Sequence, residues 1–378
     1  MNHWAAHMGG AEFSLLDILE GAASKADVHL VTSENGELVK RARRMGVNCH
    51  VVPAGKGLAR IRRGNLFFKA FLNIPALFSF LIFSLKVRKL VNLIRPDCIH
   101  ANVPKSHMLL FLLRFFGYRG RTVIHIREIF VRKSVAFELY GLLFSPEKSI
   151  VIAISQAVRD GLPEKMRKSA VVIHNGIFIP SRCVLKQPKK EGLSFVYLGR
   201  IVPWKGCHIL IEAFSKLQKK YSGRKISLTL AGGTFYWDET YRDELRGLIL
   251  QHKQENHCSL LPHVSNVYSF LARYDVFCTG SQHEPFGRSV AEAQSCALPV
   301  VAFESGGIAE IVEKEETGFL AEERTVGGIA AEMEKFVLKP GLAEIMGEAG
   351  RRRVERNFER SVQVGRIEEE LVGGLPRR

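Results

Sequence analysis

Two acidic residues in the second half of the chain have a spacing that suits the binding of a ligand rich in hydroxyl groups. Glu284 and Glu292 lie within HEPFGRSVAEAQSCALPVVAFESGGIAEIV, the segment from His283 to Val312. The pattern predicts Glu284 in a loop and Glu292 on the first turns of the next helix. The loop carboxylate could accept hydrogen bonds from sugar hydroxyls, and the helical one from a ribose diol. The alternative is that Glu284 caps the helix and Glu292 is solvated.

The same segment also contains groups suited to an anion. The backbone N–H groups of Phe286, Gly287 and Arg288 lie at the predicted helix start, where partial positive charge accumulates. Gly306 and Gly307, in the next loop, would let the backbone approach a ligand closely.

A second motif, LGRIVPWKGCHILIEAF, brackets a strand-to-helix loop with two cations. Arg200 follows the end of the predicted strand, and Lys205 with Gly206 opens the helix. A planar guanidinium and a compact ammonium at a helix start can hold a phosphate group. The alternative is that both are solvated cations of a basic chain.

Short apolar runs alternate with amphipathic helical runs along the chain, which predicts an α/β protein of two Rossmann-like domains facing across a cleft. The predicted strands are 27–32, 48–53, 98–102, 122–126, 149–155, 170–175, 194–199, 226–232, 259–262, 275–280, 299–303 and 317–321. Ligands bind at the carboxyl ends of parallel strands, so such a cleft is expected to bind phosphate.

The expected domains are 1–178 and 179–350. A loose, proline- and lysine-rich stretch, 177–192, is the predicted connection. The last segment, 351–378, is predicted to be helical and broken near Asn357 and Phe358.

Composition restricts the class of partner. The chain has 378 residues, 46% of them hydrophobic, and a net charge of +16. That charge favours phosphorylated small molecules or anionic membranes, and no nucleic-acid-binding motif occurs. Seven scattered cysteines without a C-x-x-C pair, and the lack of a signal peptide pattern in the first twenty residues, predict a cytoplasmic protein.

One apolar segment, Leu66 to Val91, comes near to a membrane signal. Its uninterrupted part, 74–85, is too short to span a bilayer. The flanking cations are Arg60, Arg62, Arg63, Lys69, Lys86, Arg88 and Lys89. Two interpretations stay open: a basic, aromatic surface that lies peripherally on an anionic bilayer, or a buried helix with charged ends.

Several common motifs do not occur. The chain has no G-x-G-x-x-G, no P-loop, no H-E-x-x-H and no G-x-S-x-G. We therefore expect no metal and no resident cofactor, and the hydride-transfer, ATP-dependent and serine-hydrolase classes lose support.

The combination of motifs resembles the retaining glycosyltransferases of family 4, which have the GT-B fold. GR-x4-KG, EPFG-x4-E and ALPVVAFESGGIAEIV follow one another in the second half, and GGAE, VIHIRE, AISQAVRDGL and VIHNGI occur in the first. The resemblance covers nearly the whole chain. It implies that 1–178 lies on the acceptor side, that 179–350 binds the nucleotide sugar, and that 351–378 packs back on the first domain. It implies a hexosyltransferase that uses a nucleoside diphosphate sugar, with UDP or GDP, and a lipid-linked or glycan acceptor.

The resemblance also implies roles for individual residues. Arg200 and Lys205 would hold the diphosphate and stabilise it as it leaves, and Glu292 would bind the ribose. Glu284 and the amides of Phe286 and Gly287 would hold the transferred sugar. His125 would lie near that sugar, Gly9 and Gly10 would approach the phosphates or the acceptor, and the backbone of His263 and Val264 would face the base.

A metal-free, same-face substitution is the implied mechanism, with the departing phosphate helping to deprotonate the acceptor. Two alternatives remain open: a nucleotide-sugar 2-epimerase of the same fold, and a non-catalytic nucleotide-sugar-binding protein. Family members also begin with an apolar strand before the GGAE-type loop, and only eight residues precede Gly9 in this sequence. There is no room for that strand in the sequence as given, so we expect either that the recorded start is late or that the fold is completed in another way.

Overall fold

The computed structural model describes residues 8–54, 74–131, 134–144, 149–182, 191–234 and 239–373. The chain forms two compact units. Unit 1 is Met1–Gly176 with Ser361–Arg378, and unit 2 is Ile177–Arg360. The sequence predicts domain boundaries after residues 178 and 350, and the structure divides the chain after residues 176 and 360. Within the predicted connection, 177–192, residues 183–190 lie outside the described residues.

Unit 1 contains six strands and eight helices among the described residues. The strands are β1 (His29–Thr32), β2 (Asn48–Val51), β3 (Cys98–Ala101), β4 (Arg121–Ile126), β5 (Ile150–Ala153) and β6 (Val171–Val172). The helices are α1 (Gly10–Ala23), α2 (Glu37–Arg44), α3 (Ile74–Ile94), α4 (Pro104–Phe115), α5 (Val135–Leu143), α6 (Gln156–Asp160), α7 (Glu164–Ser169) and, at the end of the chain, α15 (Arg360–Val372).

The strands of unit 1 form two parallel sheets instead of one. β1 pairs with β2, and the second sheet has the order β3-β4-β5-β6. Helix α1 packs on both: Leu15 and Leu19 lie in an apolar cluster with β1 and α2, while Ile18 contacts a cluster that contains β4 and β5. Among the described strands, β1 and β3 therefore each have a single neighbour.

An added strand is expected to stabilise unit 1, where β1 and β3 each have one neighbour among the described strands. An apolar, β-branched segment joined ahead of Gly9 would pair edge N–H and C=O groups of β1 and β3 that no described strand pairs. We expect a higher soluble yield, higher activity, and a thermal midpoint raised by about 2–4 °C for each kcal/mol gained. A polar segment of equal length is the control, and equal behaviour of the two chains would contradict the prediction.

Helix α15 returns the chain to unit 1, as the sequence predicted. Ile367 packs with Ile18 in the cluster of β4 and β5. Glu368 forms an ion pair of 2.5 Å with Lys25 at the end of α1. Arg121 donates a hydrogen bond of 2.7 Å to the carbonyl of Glu370, so the helix is held by apolar packing and by polar contacts in its C-terminal half.

Unit 2 is a second parallel α/β unit. Its strands are β7 (Leu193–Leu198), β8 (Ile226–Ala231), β9 (Cys258–Leu261), β10 (Val276–Thr279), β11 (Val300–Phe303) and β12 (Gly318–Ala321). Its helices are α8 (Cys207–Lys220), α9 (Thr240–Gln251), α10 (Val267–Leu271), α11 (Arg288–Ser295), α12 (Ile308–Ile311), α13 (Val326–Leu338) and α14 (Leu342–Asn357). All twelve predicted strands, and the helix break near Asn357, are confirmed.

In the sheet of unit 2, the order in which strands are added changes direction at the centre. The strand order is β12-β11-β10-β7-β8-β9, and every pair is parallel. The chain runs outward from β7 through β8 to β9, then returns to β10 and runs outward the other way. In such sheets, the loops that follow the two central strands diverge and leave a crevice for a ligand. Here those are the loops after β7 and β10.

Candidate functional site

The loops after β7 and β10 touch through their backbones. A Cβ atom on Gly206 would lie 2.2 Å from the carbonyl oxygen of Gly280. Gly206 also has φ 69°, a left-handed conformation that glycine adopts without strain. The two predicted motifs are far apart in the sequence, with 83 positions from Arg200 to His283. They nevertheless lie side by side at the centre of the sheet.

Lys205 and Glu284 form an ion pair across these loops. The ammonium of Lys205 contacts Glu284 Oε2, and each side chain is 16% exposed. Ser281 donates a hydrogen bond of 3.2 Å to the same carboxylate oxygen. An ammonium has three donors, so Lys205 can hold Glu284 and still donate to an incoming anion.

Arg200 lies on the same loop as Lys205, over an aromatic ring. Its guanidinium carbon is 5.9 Å from the centre of the Trp204 ring, in a cation–π contact. The carbonyl of Arg200 accepts a hydrogen bond of 2.8 Å from the buried Tyr197 hydroxyl. The loop backbone is therefore anchored to β7 while the cation stays half-buried at the surface.

The Pro-Phe-Gly turn orients the start of α11. Gly287 precedes the helix with φ 103°, which a residue with a side chain rarely adopts. The Phe286 ring is buried and meets the Phe358 ring edge to face, 5.9 Å between centroids. Because the ring is used for packing, a ligand at this turn would meet the backbone of Phe286, and that contact stays a prediction.

The glycine pair after β11 supports this turn. The N–H of Gly307 donates a hydrogen bond of 2.9 Å to the carbonyl of Glu284. A Cβ atom on Gly307 would lie 2.5 Å from the Cα of Phe286. Gly306 has φ 53°. The glycines therefore serve the close contact of two loops, and this contact fixes the backbone of Glu284.

Glu292 has a different partner from Glu284. It lies on α11 and accepts a hydrogen bond of 2.8 Å from the Nε of Arg288, one turn earlier. Its side chain is 14% exposed. The alternative of a fully solvated Glu292 is therefore wrong, whereas its contact with a ribose stays a prediction.

His263 and Val264 lie in the loop after β9, at the edge of the sheet. β8 separates β9 from β7, so these two residues are at the same end of the strands as Lys205 but two strands away. His263 is exposed and Val264 is half-buried. Their predicted role toward a base is untested.

The predicted residues of unit 1 join a buried polar network at the ends of β3, β4 and β6. His125 Nδ1 is 3.2 Å from His100 Nε2 and 3.4 Å from Arg127 Nη2. Arg127 also donates to the side-chain oxygens of Asn102, at 2.8 Å, and Asn175, at 2.7 Å. One guanidinium thus connects the segments that follow three strands.

The imidazole of His125 is held neutral. Burial lowers the pKa of His125 well below its usual range, and the neighbouring charge of Arg127 lowers it further. Because an arginine N–H can only donate, Nδ1 accepts and the ring proton lies on Nε2. This buried Nε2 atom has no hydrogen-bond partner among the described residues, and the predicted position of His125 near a sugar stays a prediction.

Gly9 and Gly10 begin α1 beside this network. The N–H of Gly9 donates to Glu12 Oε2 at 3.0 Å, and Asn102 donates to the carbonyl of Ala11 at 3.4 Å. A Cβ atom on Gly10 would meet nothing within 4 Å. Protein packing alone therefore does not require glycine at position 10, and a role toward a ligand stays a prediction.

Sequence reasoning missed several polar residues that hold the predicted ones in place. Ser281 contacts Glu284, and Arg127 and Asn175 support His125. Arg127 and Asn175 stand inside VIHIRE and VIHNGI, so the motifs contained them without indicating what they contact. His100 was hidden in a strand, where a polar residue has no evident partner.

Comparison with known proteins matches both halves of the chain to glycosyltransferase models. The model for glycosyl transferases group 1 matches residues 185–353, and the model for glycosyltransferase family 4 matches residues 8–179. The capsular polysaccharide biosynthesis glycosyltransferase CapM of Staphylococcus aureus is 27% identical over 353 residues, which cover 88% of this chain and 86% of CapM.

Solved structures show the same fold. HepE of Anabaena, in complex with UDP and glucose, superposes with a TM-score of 0.80 at 22% identity, covering 98% of each chain. Sucrose-phosphate synthase of Thermosynechococcus elongatus superposes with a TM-score of 0.79 at 19% identity, covering 98% of this chain and 94% of that one. The predicted GT-B fold is confirmed.

Proposed function

Since this chain belongs to the group 1 glycosyltransferases of family 4, we propose that it moves a sugar from a nucleoside diphosphate donor, UDP or GDP, to a glycan or lipid-linked acceptor, with retention of configuration and without a metal ion. The pairing of Lys205 with Glu284 at the centre of the sheet carries this proposal. HepE binds UDP and glucose, and CapM is named for polysaccharide biosynthesis, which supports the donor and acceptor classes.

The diphosphate lies against the cationic loop in this proposal. Arg200 and Lys205 follow β7, and the N-terminus of α11 follows β10, so three sources of positive potential surround the crevice. Fixed donors that face developing charge lower the barrier to bond cleavage. The two cations and the helix N-terminus would stabilise the negative charge of the leaving diphosphate, as a bound metal ion does in other transferases.

The sugar lies against the carboxylate side. Glu284 accepts hydrogen bonds from sugar hydroxyls, while Gly307 keeps its backbone in place. Glu292 exchanges its bond with Arg288 for the ribose diol. For His125, in unit 1, a role toward the sugar is proposed only because the family 4 pattern implies it.

The reaction proposed is a substitution on one face of the sugar ring. The bond between the anomeric carbon and the diphosphate oxygen breaks, and the acceptor oxygen forms its bond from the same face. The acceptor proton passes to the departing phosphate oxygen.

A cytoplasmic location remains part of this proposal, and it fits the six described cysteines, which are free.

A donor and acceptor panel tests the function. The full chain is incubated with UDP- and GDP-sugars, glycan and lipid-linked acceptors, and an excess of chelator. We expect one donor to release free nucleoside diphosphate in proportion to product, and NMR of the product to show the donor's anomeric configuration. An inverted product would exclude the retaining mechanism. Loss of activity with the chelator would exclude the metal-free one.

The same assay separates the alternatives. A 2-epimerase would change the sugar of the donor without an acceptor. A non-catalytic protein would bind a donor, seen as a raised thermal midpoint, and release no nucleotide with any acceptor.

A further inference from the structure

Helix α3 presents an apolar face to solvent. Leu77, Phe78, Leu81, Ile82 and Leu85 are 38% to 62% exposed, and their spacing places them on one side of the helix. The opposite side is used for packing, where the buried residues are Phe83, Ser84, Val87 and Val91. The helix is therefore neither wholly buried nor a solvated helix with a polar outer face.

The exposed side becomes cationic along the helix. Lys86, Arg88 and Lys89 follow Leu85 and are all exposed. The sequence from Ile74 to Ile94 contains no acidic residue. At 1.5 Å per residue, the cations begin within one turn of the apolar part.

Helix α4 extends this surface. Phe115, at its end, is 75% exposed, and its ring packs edge to face on Phe116 at 5.7 Å. The guanidinium of Arg88 lies 5.6 Å from the centre of the Phe116 ring. The exposed apolar residues of α3, its three cations and Phe115 form one patch, which we call the α3 surface.

This composition matches a bilayer interface. Large exposed apolar patches mark interaction sites, and an apolar face beside lysine and arginine suits acyl chains beneath anionic headgroups. Among the described residues, no helix, α3 included, is long and apolar enough to cross a membrane. A second copy of the chain would bring like charges together, so a lipid surface fits better.

We propose that the α3 surface lies on a membrane that contains anionic lipids, with the apolar side chains among the acyl chains and the cations at the headgroups. Unit 1 of the enzyme is then a peripheral membrane unit. The cations of residues 60–69 lie outside the described residues, and the proposal does not use them.

Vesicle sedimentation tests the proposal. The full chain is mixed with vesicles of phosphatidylcholine alone, or with about one third phosphatidylglycerol. We expect binding to the anionic vesicles, weak binding to the neutral ones, and release at high salt. Changing Lys86, Arg88 and Lys89 to Gln should weaken binding about fivefold per charge, or roughly 100-fold in total.

Apolar variants give an independent arm. Phe78→Ser with Leu85→Ser should reduce binding to anionic vesicles at least tenfold. Leu250→Ser, at an equally exposed leucine on α9 in unit 2, is the matched control. Thermal unfolding checks that every variant folds. Equal binding to both vesicle types, no binding, or an equal loss in the control would overturn the proposal.

Vesicle binding and sugar transfer are measured separately, so failure of the membrane proposal can be distinguished from failure of the proposed function. Transfer to an acceptor in solution should be unchanged in the α3 variants, because none of the changed residues belongs to the proposed donor site. Concentration-dependent dimerisation that the apolar variants abolish, without vesicle binding, would assign the α3 surface to a second copy instead.

Discussion

Lys205→Ala is expected to reduce transfer by about 10² to 10³-fold, the range found when one fixed donor to developing charge is removed. The structure adds a second reason. Glu284 would lose its ion-pair partner and would present an unpaired carboxylate to an incoming diphosphate. Binding of free nucleoside diphosphate should weaken as well, by roughly 10- to 100-fold for a lost charge-assisted hydrogen bond. Steady-state kinetics and calorimetry measure the two effects.

Lys220→Ala is the control for this change. Lys220 forms an ion pair of 2.7 Å with Glu334 on the outside of unit 2, and its side chain is 63% exposed. Exposed pairs contribute about 0–1 kcal/mol, so transfer should stay near the wild-type rate. If Lys205→Ala behaves like Lys220→Ala, the cationic loop does not hold the diphosphate.

Glu284→Gln is expected to separate transfer from nucleotide binding. The amide oxygen can still accept the hydrogen bond from Ser281, so the loop keeps its shape. Lys205 would keep its full charge for the diphosphate. Transfer should therefore fall by about 10²-fold, while free nucleoside diphosphate binds as well as before, or more tightly.

Combining the two changes tests whether the residues act as a pair. In the double variant, the carboxylate that repels the diphosphate is absent, so nucleotide binding should be stronger than in Lys205→Ala alone. Coupling of this kind is expected between residues in direct contact. Strictly additive losses, or a loss of nucleotide binding in Glu284→Gln that equals the loss of transfer, would make Glu284 a structural residue.

Local pattern was enough to predict the elements of the fold. Runs such as SFVYLG and PVVAF are apolar and rich in β-branched residues, which is typical of strands buried on both faces. Gly287 and Gly206 indicated where the loops turn into α11 and α8. The family motifs then indicated which loops bear chemistry.

Pairings between distant segments were outside the reach of local pattern. Lys205 and Glu284 are 79 residues apart, and they meet because β10 lies next to β7. That adjacency depends on strand order, which apolar periodicity does not encode. The packing of α1 on both sheets of unit 1 depends on the side chains of Leu15, Leu19 and Ile18, and apolar periodicity does not indicate which sheet each of them contacts.

The backbone contact between Gly206 and Gly280 limits how this enzyme can be redesigned. Any side chain at Gly206 would collide with the carbonyl of Gly280 and push both loops apart. Gln282 and His283 lie on the loop after β10 and are exposed. A library that varies these two positions, and leaves the glycines unchanged, can explore new substrates on an undisturbed framework.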